Sequence, residues 1–191
     1  MKTFSRLVVA FALLFVAGGA SAQLTPEHIQ ALKAACIADV AVCKPLHDAA
    51  ANGTGSDEAL AAYFNADTVT FVVWRTNVTR AEIYHRTSAD GTTWNWTTYK
   101  NQSIAEQNAW VQMFMGDQAD FSLPNLRSGV DAIFSGSGAP ATQRAHVAAI
   151  AKRSATRAEK ALAAGTGTSA SPATMTFQGQ VSSGEASLIR S

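Results

Sequence analysis

Cys36 and Cys43 are the only cysteines in the chain, and their chemistry depends on whether the backbone lets them meet. Seven positions apart on an unbroken helix, they would lie about 10.5 Å apart along the axis. A disulfide needs Cα atoms within roughly 4.4–6.8 Å. Asp39, the β-branched Val40 and Val42, and Pro45 supply a helix break in this stretch. Two readings stand: a disulfide across that break, or two buried thiols packed as small apolar groups.

Other reactive residue types are present without the spacing that chemistry needs. His28, His47, His85 and His146 form no HExxH or HxH, and no His pair lies near the cysteines to complete a tetrahedral zinc site. They read as scattered surface or half-buried histidines. No serine lies in GxSxG. Ser135-Gly136-Ser137-Gly138 reads as a flexible linker. Gly165-Thr166-Gly167-Thr168 follows a helical pattern where a phosphate cradle would precede one, so it reads as a helix C-cap. Glu106, Asp117, Asp120 and Asp131 are candidate acids for glycoside hydrolysis, which needs carboxylates about 5–9.5 Å apart. Nothing in their spacing favours a pair, and Glu106 serves a capping box. No catalytic, cofactor-binding or metal-ligating residue is assigned.

The densest charge is Lys152, Arg153, Arg157 and Lys160. On one long helix, Arg153, Arg157 and Lys160 form a stripe, either a contact face for an acidic partner or a solvated face near the helix C-terminus. Trp74, Trp94, Trp96 and Trp110, with Phe71 and Phe114, read as core. Trp94 and Trp96 share a face if their segment is extended, the one pair able to form an aromatic platform for sugar.

Helix signals dominate the elements that must position these residues. Thr25-Pro26-Glu27 opens a helix with an N-cap, a proline and an acid. Ser56 caps a helix over 57–65. Val69 to Asn77 is β-branched and aromatic and predicts a strand. Thr79-x-x-Glu82 and Ser103-x-x-Glu106 are capping boxes. Leu126, Val130, Ile133 and Phe134 recur at helical spacing, and Pro140 opens the longest predicted helix, running to about Ala164. Met175, Phe177 and Val181 predict a short late strand. The fold class expected is mainly α: a single helical domain over 23–180 with two or three short extended segments, followed by a frayed tail over 181–191.

Before this domain, Lys2 and Arg6 precede the apolar run Leu7–Val16 and the small residues Ala20-Ser21-Ala22. That order predicts a secretory signal peptide cut before Gln23. The run is short of the roughly 20 residues that span a bilayer, so no membrane span is expected after cleavage. Cleavage removes two of the 15 basic residues and none of the 14 acidic ones, leaving a net charge of −1. A near-neutral chain has no general electrostatic reason to seek nucleic acid.

Three segments carry a resemblance. Val73-Trp74-Arg75-Thr76-Asn77-Val78 fits a VWRTxV pattern, and Pro124-Asn125-Leu126-Arg127-Ser128-Gly129-Val130-Asp131 fits PNxRAGxD except for Ser128. Lys152-Arg153-Ser154-Ala155-Thr156-Arg157-Ala158-Glu159-Lys160 is followed by Gly165-Thr166-Gly167-Thr168 and Ser171-Pro172-Ala173-Thr174. In this order, they resemble a small family of tailed-phage and prophage proteins over roughly residues 24–179. The resemblance implies a non-enzymatic virion or assembly component of the neck or tail, with protein partners, no cofactor, and oligomers within reach. The leader and the cysteine pair depart from that family. They point instead to an exported phage accessory factor at the cell envelope, periplasmic or secreted. Without cleavage, the expected place is the virion or host cytoplasm. A cell-wall hydrolase is the third reading.

Overall fold

The structure, a computed structural model, describes residues 23–191; the leader predicted over 1–22 lies outside them. The Thr25 side chain accepts from the His28 backbone and Pro26 takes the first helical position, so α1 (Pro26–Ala38) begins where its capping residues dictate. Asp39 ends it, and α2 (Cys43–Ala51) starts after a tight turn. Ser56 caps α3 (Asp57–Asn65), which buries Leu60 and Phe64. The β-branched run then forms β1 (Asp67–Trp74). After β2 (Val78–Thr79), the Thr79–Glu82 capping box starts α4 (Arg80–His85).

Trp94 and Trp96 do not share an extended edge. Asn95 accepts from the Thr98 backbone and caps α5 (Trp96–Lys100), which turns the two rings to different environments. Trp94 is buried and Trp96 is 55% exposed. The Ser103–Glu106 box starts α6 (Ile104–Gln112). β3 (Gln118–Ala119) pairs antiparallel with β2, and α7 (Pro124–Ile133) and α8 (Ala139–Ile150) follow.

The largest correction falls at residue 151. The predicted long helix ends at Ile150, and the chain forms β4 (Lys152–Thr156), antiparallel to β1 with Trp74 opposite Lys152. Lys, Arg and Ala there have good helix propensity. The unpaired edge of β1 overrides it, because buried backbone groups need partners. Thr156 then caps α9 (Arg157–Leu162) through a capping box with Glu159.

The late strand does not form over 175–181. Residue Ala173 instead bridges the other edge of β1: its N–H donates to Val72 O at 2.9 Å, and its carbonyl accepts from Trp74 N at 3.0 Å. The tail is not frayed. Ser182 and Glu185 form a capping box that starts α10 (Ser183–Arg190), which buries Ala186 and Ile189.

The described residues are mainly helical, with ten helices and two two-stranded sheets. Both ends of the chain build one core: α1, α2, α3, α9 and α10 enclose Leu32, Cys36, Leu60, Phe64 and Ile189. The middle builds the other around Trp94, Trp110, Phe114, Phe121 and Phe134. Trp110 is fully buried, stacked on Trp94 at 5.1 Å, and its indole N–H donates to the Tyr84 hydroxyl at 3.0 Å. β1 leads from the first core to the second and β4 leads back.

Candidate functional site

Trp74 stands at the end of β1, where the three segments singled out above converge. The Arg127 guanidinium of α7 lies 4.8 Å from its ring centre and the Lys152 ammonium of β4 lies 5.2 Å from it. Both distances fall in cation–π range. Arg127 is fixed by its own backbone contacts, donating from Nη1 to Phe121 O at 2.6 Å and Ser122 O at 2.8 Å.

Two clefts flank this point. One, of about 260 Å³, has an apolar floor of Trp74, Phe121, Val130 and Val147, rimmed by Arg127, Asp131 and Arg144. The Arg144 Nε sits 3.7 Å from Asp131 Oδ1, and its Nη1 donates to Gly136 O at 3.0 Å. The other, of about 340 Å³, is polar and lined by Arg75, Asn77, Arg86, Lys152, Arg153 and Gln178. Arg75 donates to both oxygens of Glu82, at 2.8 and 3.0 Å, and Arg86 reaches the same carboxylate at 3.3 Å. Burial pushes the Glu82 carboxyl up, but the Thr79 N–H and the Arg75 guanidinium outweigh it and hold it below the ordinary value.

The four cations predicted as a helical stripe are dispersed by the helix break. Lys152 and Arg153 share the polar cleft, whereas Arg157 lies 4.3 Å over the Tyr63 ring and Lys160 is 5.8 Å from Phe71. Arg153 forms a bidentate pair with Glu159, at 2.7 and 2.6 Å. Glu159 is only 2% exposed and also accepts from the Thr156 backbone, so this carboxylate ties β4 to α9. The stripe is therefore not a continuous partner-contact face. One signal in the sequence marks the break: Thr156-x-x-Glu159 has the same capping-box spacing as Thr79-x-x-Glu82.

Cys36 and Cys43 form a disulfide, with Cα atoms 5.0 Å apart. The turn between α1 and α2 brings them together, held by the Lys44 N–H on Asp39 O at 2.9 Å and the Val42 N–H on Asp39 Oδ1 at 3.1 Å. Both cysteines are buried in the terminal core.

Gly165 and Gly167 do not cap a helix; α9 ends at Leu162, with Ala163 extended. The Gly167 carbonyl accepts from Val72 N at 2.7 Å, and its backbone lies so close to Phe71 that a methyl group at 167 would overlap the ring. With φ at +65°, this position also suits glycine conformationally.

Ser88, His146 and Asp90 come together, in an order that does not activate a nucleophile. The Ser88 hydroxyl lies between Asp90 Oδ1, at 2.8 Å, and His146 Nδ1, at 3.4 Å. A nucleophilic triad needs the imidazole in the middle. His146 Nε2 lies 2.8 Å from the Ile83 carbonyl and Nδ1 lies 3.2 Å from the Thr92 carbonyl, so backbone oxygens hold both sides of the ring. The Ser88 hydroxyl also lies 2.9 Å from Thr92 O, so the group clamps the 88–92 turn onto α8.

The remaining predicted residues are each otherwise engaged. His28 completes the α1 capping box, His47 contacts Asp48 at 3.1 Å, and exposed His85 borders a third cleft with Arg80, Tyr84 and Asp117. Glu106 accepts from Ser103 N at 2.8 Å, which with the Ser103 hydroxyl holds its carboxyl below the ordinary value. Asp120 accepts from Ser122 N at 2.9 Å. Among the described residues, no group of three or more His, Cys, Asp or Glu side chains could hold a metal ion. No helix among them is long and apolar enough to cross a membrane. Comparison with models of protein families, with curated proteins and with solved structures gave no match.

Proposed function

We propose that this chain is a phage- or prophage-encoded accessory protein, exported and non-enzymatic, that acts by binding at the bacterial cell envelope. The Cys36–Cys43 disulfide carries this reading. Such bonds form and persist in oxidising compartments and are rare in the cytoplasm. The basic, apolar and small segments of residues 1–22 would supply the route. Glu106, one of the predicted hydrolase acids, is held below its ordinary value by Ser103, the wrong direction for a general acid at neutral pH. Fractionation of cells expressing the whole gene, with N-terminal sequencing, tests the proposal. The expected product is periplasmic, starts at Gln23 and has no titratable thiol. A cytoplasmic product starting at Met1 with two free thiols would sink it.

A second reading, a virion neck or tail component, is favoured by one observation. Ile104 and Val111 on α6, and Met115 just beyond it, are exposed at helical spacing. Such a row suits burial between protein subunits. Mass spectrometry of purified virions tests it, and absence from particles across replicates counts against it.

A further inference from the structure

Four cations and no carboxylate line the polar cleft between β4, α4 and the 178 segment. Glu82 and Glu159 are outside the lining and already engaged by Arg75, Arg86 and Arg153. Those two negative charges, with Asp67 acting on Arg153 from β1, leave the four positive ones in excess. Like charges gathered in one cleft repel each other, and the cleft wall shields that repulsion less than open water does.

Lys152 is the residue on which this charge is least compensated. Its ammonium makes one hydrogen bond, to Ser169 O at 2.9 Å, beside the Trp74 ring. Among the described residues, no carboxylate comes within ion-pair distance of it. Burial pushes its pKa below the ordinary lysine value, because the charged form loses hydration there. Arg86 lines the cleft with its side chain 56% exposed, so much of its guanidinium is free for a further contact. The Gln178 Oε1 accepts from the Thr76 hydroxyl, which leaves the amide nitrogen as an additional donor. The lining is thus mostly polar and rich in N–H donors, several of them fixed by carboxylates.

We propose that this cleft binds the phosphate group of a phosphomonoester, with Lys152 and Arg86 as the direct cationic contacts and Arg75 and Arg153 as the fixed positive wall. An anionic phosphate matches the excess of positive charge, and guanidinium and ammonium groups together suit its oxygens. The volume accommodates the phosphate and the first atoms of its ester. The ester is either a soluble metabolite or the head group of an envelope lipid. Neither source depends on the export proposed above.

Calorimetric titration of the purified protein tests this, with inorganic phosphate, glycerol phosphate, and vesicles of phosphatidylcholine with and without phosphatidic acid as probes. Saturable 1:1 binding of phosphate and glycerol phosphate is expected. Arg86→Gln with Lys152→Gln should weaken it at least tenfold, whereas Lys100→Gln, on the exposed end of α5, should leave it unchanged. Thermal melts matching wild type would show that the double variant folds. Binding to phosphatidic acid vesicles that inorganic phosphate displaces supports a lipid head group, and binding of glycerol phosphate without vesicle binding supports a soluble ester. The proposal is overturned by no saturable heat with any probe, by equal binding in the double variant, or by vesicle binding that phosphate does not displace.

Discussion

Breaking the bond between Cys36 and Cys43 should cost a calculable part of the stability. The loop it closes is short, with a sequence separation of 7. The chain-entropy relation gives about 2.4 kcal/mol at 25 °C for a loop of that size, mostly by restricting the unfolded chain. Seated between α1 and α2 in the terminal core, the bond also holds a turn whose remaining ties include the hydrogen bonds that Asp39 accepts from Val42 and Lys44. For a domain of this size, that loss lowers the melting temperature by roughly 5–10 °C. The clean assay is urea denaturation of one protein sample with and without dithiothreitol, pre-incubated in denaturant because both sulfurs are buried. The reduced form should unfold at lower urea with nearly the same slope, since so short a loop changes the exposed surface little. A Cys36→Ala, Cys43→Ala variant should not respond to reductant. Coincident curves for a sample whose thiols titrate as fully oxidised would refute the reasoning. So would free thiols in protein purified from the periplasm.

Other parts of the structure make equally definite demands. Glu159→Gln keeps the shape but removes the charge that Arg153 grips, and should lower stability by about 2–4 kcal/mol in chemical denaturation; a change under about 0.5 kcal/mol would mean the pair is idle. Gly167→Ala forces a methyl group into Phe71 at a left-handed backbone position and should cost about 1–3 kcal/mol, whereas Gly136→Ala, with open space around it, should suffer only the backbone part. The Tyr63 hydroxyl donates to Asp39, and burial, followed by that carboxylate, pushes its pKa up to about 12. Its folded-state value is raised, so its contribution to stability is complete below pH 10 and is lost as pH rises through about 12. Burial also pushes Tyr99 up, so absorbance titration should show two of the three tyrosines shifted upward, and Tyr63→Phe should remove the latest component.

Local signals were enough to specify many of the elements. Thr25 with Pro26, Ser56, Thr79 with Glu82, and Ser103 with Glu106 each start a helix where their side chains satisfy free backbone N–H groups. The run Thr70–Trp74 forms a strand because β-branched and aromatic side chains suit a pleated, half-buried ribbon. These decisions need only neighbours within four residues. Two further capping boxes, Thr156 with Glu159 and Ser182 with Glu185, stood in the sequence with the same spacing. They would have marked the break before α9 and the start of α10. Capping at Asn95 was the weaker signal that set Trp96 apart from Trp94.

The candidate site was barely legible, and the reason is distance along the chain. Trp74, Arg127 and Lys152 were each visible as residues, yet nothing local says that they meet. Lys152–Thr156 has helix-forming residues and becomes a strand only because β1, some 80 positions earlier, has an edge to satisfy. That pairing turned a predicted helical stripe of cations into one polar cleft and two cation–aromatic contacts on α9. The cysteines show the same division. Composition alone could offer either a disulfide or two thiols, and the Asp39 turn in the folded chain brings their Cα atoms to 5.0 Å. The sequence by itself determined where most helices begin, because caps and periodicity act over one or two turns. Only the tertiary structure decided which charges face one another, because burial and strand pairing join residues that the chain keeps far apart.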